Sequence, residues 1–241
     1  MPAHFSDLLF KPWTVITYMF THQGFFHILF NMIFFYFGGR IFLNFLGENK
    51  LLSTYILGGL AGGFLFLLSY NLFPIFADIT SQARIIGASA SVMAVFFAVT
   101  TLVPNYSVLL PFLGPVKLKY IAIFYLVLDI ISIPNGNPGG HIAHLGGALY
   151  GFAYIKAYQS GTDWSRPFNN LIERIKDFFS SRKKPKVRVV HRRPLKDEDY
   201  NAKKKSAQEE VDRILDKIKD SGYESLSKEE KDTLFRASKD I

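Results

Sequence analysis

The chain contains no cysteine among its 241 residues. Disulfide bonds, thiol catalysis and cysteine-ligated metals are therefore excluded. Charge is also scarce in the first 160 residues, which hold seven Lys or Arg and four Asp or Glu. Stretches 51–77 and 85–116 carry no charged residue, and stretch 130–155 carries none apart from two histidines. Apolar runs of this length are typical of a protein that folds in a lipid bilayer.

A transmembrane helix needs about 20 mostly apolar residues. The 24 phenylalanines of the chain and the glycines within its apolar runs are typical of helices that pack closely in lipid. We therefore predict an all-α, multi-pass membrane protein built as a helical bundle. Proline and glycine divide the apolar runs into five predicted spans, near residues 25–46, 51–76, 86–104, 117–134 and 140–158.

Charge and hydrophobic periodicity divide the chain into three predicted parts. Residues 1–160 form the membrane domain. Residues 161–206, with 14 Lys or Arg against six Asp or Glu, form a basic linker that we expect to be largely irregular. Residues 207–241 form a small amphipathic helical hairpin, because apolar residues recur there at helical spacing and Ser227 and Glu230 have the spacing of a capping box.

The basic linker indicates both orientation and a partner. An excess of Lys and Arg directly after the last span is typical of the cytoplasmic side, so we expect the carboxyl tail to be cytoplasmic. The same charges predict contact with the anionic headgroups of the bilayer. No aromatic or glycine pattern for base stacking accompanies them, so we expect no nucleic-acid partner.

The five predicted spans bring four polar residues to one depth. With the carboxyl tail inside, the amino end lies outside, and the first, third and fifth spans all enter from the outer face. His27 and Asn31 lie near the outer end of the first span, Ser89 near that of the third and His144 near that of the fifth. At a rise of about 1.5 Å per residue, all four share a shallow depth. We therefore expect them to meet where water can reach them.

These residue types suit acyl transfer. A serine such as Ser89 becomes a nucleophile when a neutral imidazole, here His144, takes its proton. His27 and Asn31 are four residues apart, so they share one helix face and can donate to the same oxyanion. The backbone N–H of Ser89 at a helix start can donate to it as well. The pattern predicts a serine protease whose active site lies inside the bilayer.

Each of these residues also has a purely structural interpretation. Ser89 can pack as a small residue, His144 can bond a neighbouring helix, and Asn31 can link two helices. Their shared depth favours the catalytic interpretation. Ser91 points to nearly the opposite helix face from Ser89, so we assign it to packing.

A metal-dependent hydrolase is the third interpretation. Its ligands would be His27, His141 and His144, but no acidic residue accompanies them at ligand spacing along the chain. We therefore disfavour this interpretation. Asp129, near the outer end of the fourth span, could tune His144 or another histidine, but we expect it to lie at the level of the hydrated headgroups. His141 is expected near the surface or as a second polar contact.

Four short segments carry a family resemblance. Trp13–His22 and His27–Met32 resemble the first loop and the following helix of the rhomboid intramembrane serine proteases. Gly87–Ala90 resembles the nucleophile motif of that family. Ala143–Gly147, followed by Gly151, resembles its last helix with the catalytic histidine. The resemblance covers roughly residues 10–158 in the family order.

The resemblance implies a Ser89–His144 dyad without an aspartate, and an oxyanion hole formed by His27, Asn31 and the backbone N–H of Ser89. It implies substrates that are themselves transmembrane proteins, cut in or near a membrane helix, and no metal or cofactor. Ala90 stands where the family usually has glycine. Met93 stands where a tyrosine can stack on the catalytic histidine, so we expect another residue to orient that ring.

The resemblance also bears on architecture and location. Family members usually carry a helix before the loop that starts at Trp13, so we expect this chain to lack that first helix and to have five spans. We expect an integral, multi-pass protein of a bacterial inner membrane. The alternative function is a catalytically inactive rhomboid-like protein that binds membrane-protein clients.

Overall fold

The computed structural model of the chain describes residues 1–134, 136–179 and 197–237. The chain separates into two compact units, Met1–Arg182 and Lys183–Ile241. The described part of the first unit is helical apart from one antiparallel hairpin of two short strands. Its elements in chain order are α1 (Phe5–Phe10), α2 (Thr14–Thr17), α3 (Phe25–Leu46), α4 (Glu48–Leu72), α5 (Ser89–Leu102), β1 (Ser107–Leu110), β2 (Gly114–Lys117), α6 (Leu118–Ser132), α7 (Pro138–Gln159) and α8 (Ser165–Phe179).

Each of the five predicted spans overlaps one of the helices α3 to α7, in order. Among the described residues, α3 and α4 are long and apolar enough to cross a bilayer, and α5 is apolar but has only 14 residues. A crossing by each of the other three helices stays a prediction. The helices expose large apolar side chains, among them Phe30, Phe64 and Leu149. Such a surface is typical of a protein surrounded by lipid.

Helix α5 is the centre of the bundle. It packs against α7, α4 and α3, and α6 packs on both α5 and α7. Ten of the 14 residues of α5 are buried, and the small residues Ala94 and Ala98 are completely so. A helix that is apolar on all sides and surrounded by other helices is typical of a membrane bundle.

Glycines bring α7 into backbone contact with α5. A Cβ atom on Gly147 would collide with the carbonyl oxygen of Ala90, and one on Gly151 would collide with that of Ala94. On the next helix, a Cβ on Gly62 would lie 2.6 Å from the carbonyl oxygen of Ala143. Close packing through small residues is a main source of helix association in lipid. The predicted packing role of glycine in these helices is thus visible at named contacts.

The predicted irregular linker is wrong for residues 165–179, which form helix α8. Asp163 starts this helix, because it accepts hydrogen bonds from the backbone N–H and the hydroxyl of Ser165 at 2.9 and 2.6 Å. Partial burial would raise the pKa of Asp163, but the bonds from Ser165 and the charge of Lys50 outweigh it and lower that pKa. Residues 197–206 are also helical, and 180–196, with most of the basic cluster, lie outside the described residues.

The second unit contains the predicted hairpin. It consists of α9 (Asp197–Ser221), which begins ten residues before the predicted hairpin boundary, and α10 (Lys228–Ala237). The capping box is confirmed: the backbone N–H of Ser227 donates to Glu230 at 2.7 Å and that of Glu230 donates to the Ser227 hydroxyl at 3.2 Å. Lys217 and these bonds lower the pKa of Glu230. The exact division at residues 160 and 207 stays a prediction.

The α5–α7 contact generates a stability prediction. Gly151→Ala places a methyl group against the backbone of α5, so we expect a loss of about 1–3 kcal/mol of unfolding free energy. Gly39→Ala is the matched control, because the nearest side-chain atoms lie 3.9 Å away in ordinary contact. Thermal unfolding in detergent measures both. Equal melting temperatures for the two variants would contradict the packing account.

Candidate active site

The loop before α5 presents Ser89. Gly87 has φ of 122°, a conformation that favours glycine, and its N–H donates to the carbonyl oxygen of Tyr18 at 2.9 Å. The hydroxyl of Tyr18 in turn donates to the carbonyl oxygen of Gly59 in α4. Tyr18 thus links the turn to α4. Ser89 follows the turn as the first residue of α5.

Ser89 and His144 meet directly. The Oγ atom of Ser89 lies 2.6 Å from Nε2 of His144. His144 lies one turn before Gly147 on α7, and Ser89 lies one residue before Ala90 on α5. The close contact of Gly147 with Ala90 therefore brings the two helices near enough for their side chains to form a hydrogen bond.

Asp129 lies on the other side of the histidine. One of its carboxylate oxygens, Oδ1, is 2.9 Å from Nδ1 of His144 and 2.8 Å from Nδ1 of His141. Asp129 is only 7% exposed. The prediction that Asp129 lies among hydrated headgroups is therefore wrong: α6 packs on α7 and turns the carboxylate inward, where two ring nitrogens lie within hydrogen-bond distance of it.

The position of Asp129 removes one reason for disfavouring a metal site, namely that no acidic residue accompanies the histidines. An acidic residue does accompany His141 and His144, since one ligand atom from each of them and from Asp129 lie within 4.8 Å of one another. It comes from a different helix, so spacing along the chain could not reveal it. His27 is not part of this group.

His27 lies across the nucleophile turn. A Cβ atom built on Gly87 would be 2.7 Å from Nε2 of His27 and 3.6 Å from Oγ of Ser89, so both atoms border the same small space. The Nδ1 atom of His27 accepts a long hydrogen bond from the backbone N–H of Gln23 at 3.4 Å. In the neutral ring this bond leaves the proton on Nε2, the atom that faces the turn.

Asn31 is the fourth predicted site residue. It is buried in α3 one turn after His27, and its amide nitrogen donates to the carbonyl oxygen of His27 at 2.8 Å. The amide group has two hydrogens, so one of them satisfies the backbone and the other is free to reach a ligand. The structure thus brings His27, Asn31, Ser89 and His144 to one place.

These side chains line one cavity of about 660 Å³, within the usual range for ligand sites. Its walls come from α3, α5, α6, α7 and the loop segments before α5 and α7, and most of its lining is apolar. The residues that line it are His27, Phe30, Asn31, Ile33, Phe34, Ile86, Ser89, Val92, Met93, Tyr125, Leu128, Asp129, Ser132, Asn137, Gly140, His141 and His144.

The neighbours of the nucleophile have structural positions. Ser91 is fully buried on the α4 side, where it approaches Gly59, in keeping with its assignment to packing. The methyl group of Ala90 fits against Gly62. Met93 lines the cavity but has no ring to stack on His144. The group that contacts Nδ1 of His144 is instead the carboxylate of Asp129, a contact that the sequence-based prediction disfavoured.

Asp129 did leave a signal in the sequence. It is the only acidic residue between Asp78 and Asp163. A lone carboxylate inside an apolar segment is costly and therefore marks a functional or paired position. The pairing itself could not be predicted, because it depends on how α6 rotates against α7.

Comparison with known proteins defines the class. The Rhomboid domain family matches residues 10–160, more than half of the chain, so the chain belongs to the rhomboid family. This match confirms the resemblance found in the sequence, and the chain is a membrane protein. Residues 196–240 match a family of unknown function (DUF6576). No solved structure matched the chain.

Two curated relatives are similar to the chain over 144 residues, with 33% identity and 56% of the chain covered in each case. One is RHOMBOID-like protein 12, mitochondrial, of Arabidopsis thaliana. The other is Presenilin-associated rhomboid-like protein A, mitochondrial, of Danio rerio. The chain spans 43% of the first and 35% of the second.

The nucleophile turn generates a prediction. Gly87→Ala forces a side chain into an unfavourable φ and places a methyl group against the ring of His27, so we expect Ser89 to react about 10- to 100-fold more slowly with a fluorophosphonate. Gly114→Ala is the matched control: it also has positive φ, 73°, but nothing lies within 4 Å. Labelling rates in detergent measure both. Equal rates for both variants would show that the turn does not position Ser89.

Proposed function

We propose that the chain is an intramembrane serine endopeptidase that cuts transmembrane segments of other proteins through Ser89 and His144. The observation that carries the proposal is the 2.6 Å contact between Ser89 Oγ and His144 Nε2 within a cavity of an apolar helical bundle. A nucleophile within hydrogen-bond reach of a base is the arrangement that acyl transfer requires. The reaction needs no cofactor.

The reaction follows from the positions of four groups. His144 takes the proton of Ser89 as Oγ attacks the scissile carbonyl carbon. The resulting oxyanion accepts hydrogen bonds from Nε2–H of His27, the amide of Asn31 and the backbone N–H of Ser89. Protonated His144 then gives its proton to the leaving amine, and an acyl-enzyme forms. A water molecule, deprotonated by His144, releases the second product and restores the Ser89 hydroxyl.

The length of α5 supports a site below the membrane surface. Its 14 residues extend about 21 Å, whereas the hydrocarbon core of a bilayer is about 30 Å thick. If α5 ends near the cytoplasmic boundary, Ser89 at its other end lies roughly 9 Å below the outer boundary. Water reaches it through the cavity. We propose five spans, α3 to α7, with the amino end outside and the carboxyl tail in the cytoplasm.

The substrate must present an accessible carbonyl group. A transmembrane helix hides its carbonyl groups in its own hydrogen bonds, and breaking them in lipid is costly. The cavity offers polar groups that can satisfy a locally unwound backbone, among them Asn31, His27 and Ser89. The class of substrate is therefore a membrane helix that unwinds locally at the cut site.

The proposed location is a bacterial inner membrane. This proposal rests on the sequence alone, and the two relatives do not support it because both carry mitochondrial names.

Helix α8 supports the proposed contact with anionic lipid. Leu171, Ile175 and Phe178 lie on one face and are exposed, whereas Glu173 lies on the opposite face. An amphipathic helix with exposed apolar residues is typical of one that lies in the membrane interface. It packs on α4, and Lys50 near the start of α4 pairs with Asp163 just before α8 at 3.9 Å. The basic stretch that follows α8 in the sequence adds attraction to anionic headgroups.

The nucleophile is tested directly by labelling. We expect a fluorophosphonate to modify Ser89, and Ser89→Ala to reduce labelling by about 10³-fold or more, because the serine oxygen forms the bond. Ser91→Ala is the matched control: it removes a hydroxyl two residues away that has no hydrogen-bond partner. Mass spectrometry of the labelled peptide identifies the site. A wild-type chain that folds but never reacts would favour the inactive, client-binding alternative.

The interfacial position of α8 is tested with spin labels, for which the chain is suited because it has no cysteine. Leu171→Cys and Glu173→Cys are labelled separately in vesicles of phosphatidylcholine and phosphatidylglycerol. We expect the Leu171 position to be more accessible to oxygen and the Glu173 position to a water-soluble nickel chelate. Equal, water-like accessibility at both positions would contradict the proposal.

A further inference from the structure

The carboxylate of Asp129 has a geometry that packing alone does not explain. Two ring nitrogens lie within hydrogen-bond distance of its Oδ1 atom: Nδ1 of His144 at 2.9 Å and Nδ1 of His141 at 2.8 Å. It is buried, and it comes from a third helix, α6, rather than from the helices that carry the nucleophile and the base. A lone carboxylate in such surroundings is costly unless hydrogen bonds satisfy it.

The protonation of the rings follows from the chemistry of the partner. An ionised carboxylate can only accept hydrogen bonds, so both Nδ1 atoms that face Asp129 must carry protons. In neutral His144 the other nitrogen, Nε2, then has a free lone pair. That nitrogen is the one that lies 2.6 Å from Ser89 Oγ, so it can accept the serine proton.

We infer that Asp129 is a positioning residue that holds the ring of His144 in the orientation and tautomer in which Nε2 faces Ser89 as a base. The inference rests on the proposed function and extends it, because the resemblance to the rhomboid proteases implied a Ser89–His144 dyad without an aspartate. Three helices, α5, α6 and α7, thus contribute one residue each to a Ser–His–Asp triad.

Asp129 also has an electrostatic consequence for the reaction. When His144 takes the serine proton, the ring becomes a cation with N–H groups at both nitrogens. The carboxylate 2.9 Å from Nδ1 stabilises that charge in a cavity whose lining is mostly apolar. Asp129 keeps its own negative charge through the cycle, so no proton passes beyond the imidazole.

His141 supports the same carboxylate. It lies one turn before His144 on α7, and the two rings are 5.8 Å apart in an edge-to-face arrangement. Its Nδ1–H donates to the same Oδ1 atom, which fixes the carboxylate from a second direction. Neither bond needs a metal ion, and a bound cation at these atoms would take the Nδ1 lone pair and leave a proton on Nε2 of His144.

The test uses the full chain in detergent and separates the rate of Ser89 phosphonylation, kinact, from the affinity for the reagent, KI. Asp129→Asn offers an amide N–H to Nδ1, which drives the proton to Nε2 and removes the base. We expect kinact to fall by about 10³-fold with KI little changed; the same exchange in a soluble Ser-His-Asp protease costs about 10⁴-fold in kcat. Asp78→Asn, the same exchange at an exposed carboxylate that does not line the cavity, is the matched control and should retain the wild-type kinact.

Nitrogen-15 NMR of the histidines provides a readout that a merely structural role would not change. We expect His144 to carry its proton on Nδ1 in the wild type and in Asp78→Asn, and on Nε2 in Asp129→Asn. Equal kinact and the same tautomer in Asp129→Asn and the wild type would overturn the inference, as would loss of labelling on addition of EDTA to the wild type. Absence of Ser89 labelling in the wild type would instead overturn the proposed function.

Discussion

The close contact between α5 and α7 is the constraint on which the rest of the site depends. Gly147 and Gly151 let the α7 backbone approach the carbonyl groups of Ala90 and Ala94 so closely that no side chain would fit between the two helices. His144 lies one turn before the first of these contacts, and a hydrogen bond of 2.6 Å to Ser89 becomes possible. Apolar packing in lipid thus sets the geometry of a polar pair. A methyl group added at the contact would affect stability and chemistry together.

The polar groups of the site are arranged so that each has a partner in an apolar setting. Asp129 satisfies two ring N–H groups, His144 links the carboxylate to the serine, and Asn31 already bonds its own helix. Such a network is rigid, because any loosened member would leave a buried polar group unpaired. Rigidity of this kind is useful for acyl transfer, since the donors for the oxyanion must be in place before the charge develops.

Much of this architecture could be predicted from local sequence, and the misses have identifiable physical causes. The first predicted span coincides with α3, and Ser227 and Glu230 predicted their capping box, because hydrophobic runs and caps act within a few residues. The partners of Asp129 could not be predicted, because they depend on the rotation of α6 against α7. Helix α8 was missed because net charge over 161–206 outweighed the periodic apolar residues within it. The Ser89–His144 contact was expected from the common depth of the two residues, although their roles in catalysis remain a proposal.

The most direct measurement is an experimental structure of the chain after reaction with a phosphonate inhibitor. We expect a covalent bond from phosphorus to Ser89 Oγ, with the phosphonyl oxygen within hydrogen-bond distance of His27 and Asn31. We also expect that Asp129 still contacts Nδ1 of His144. An adduct on another residue, or an unmodified Ser89 with His144 turned away from it, would contradict the central claim that these two side chains form the reacting pair.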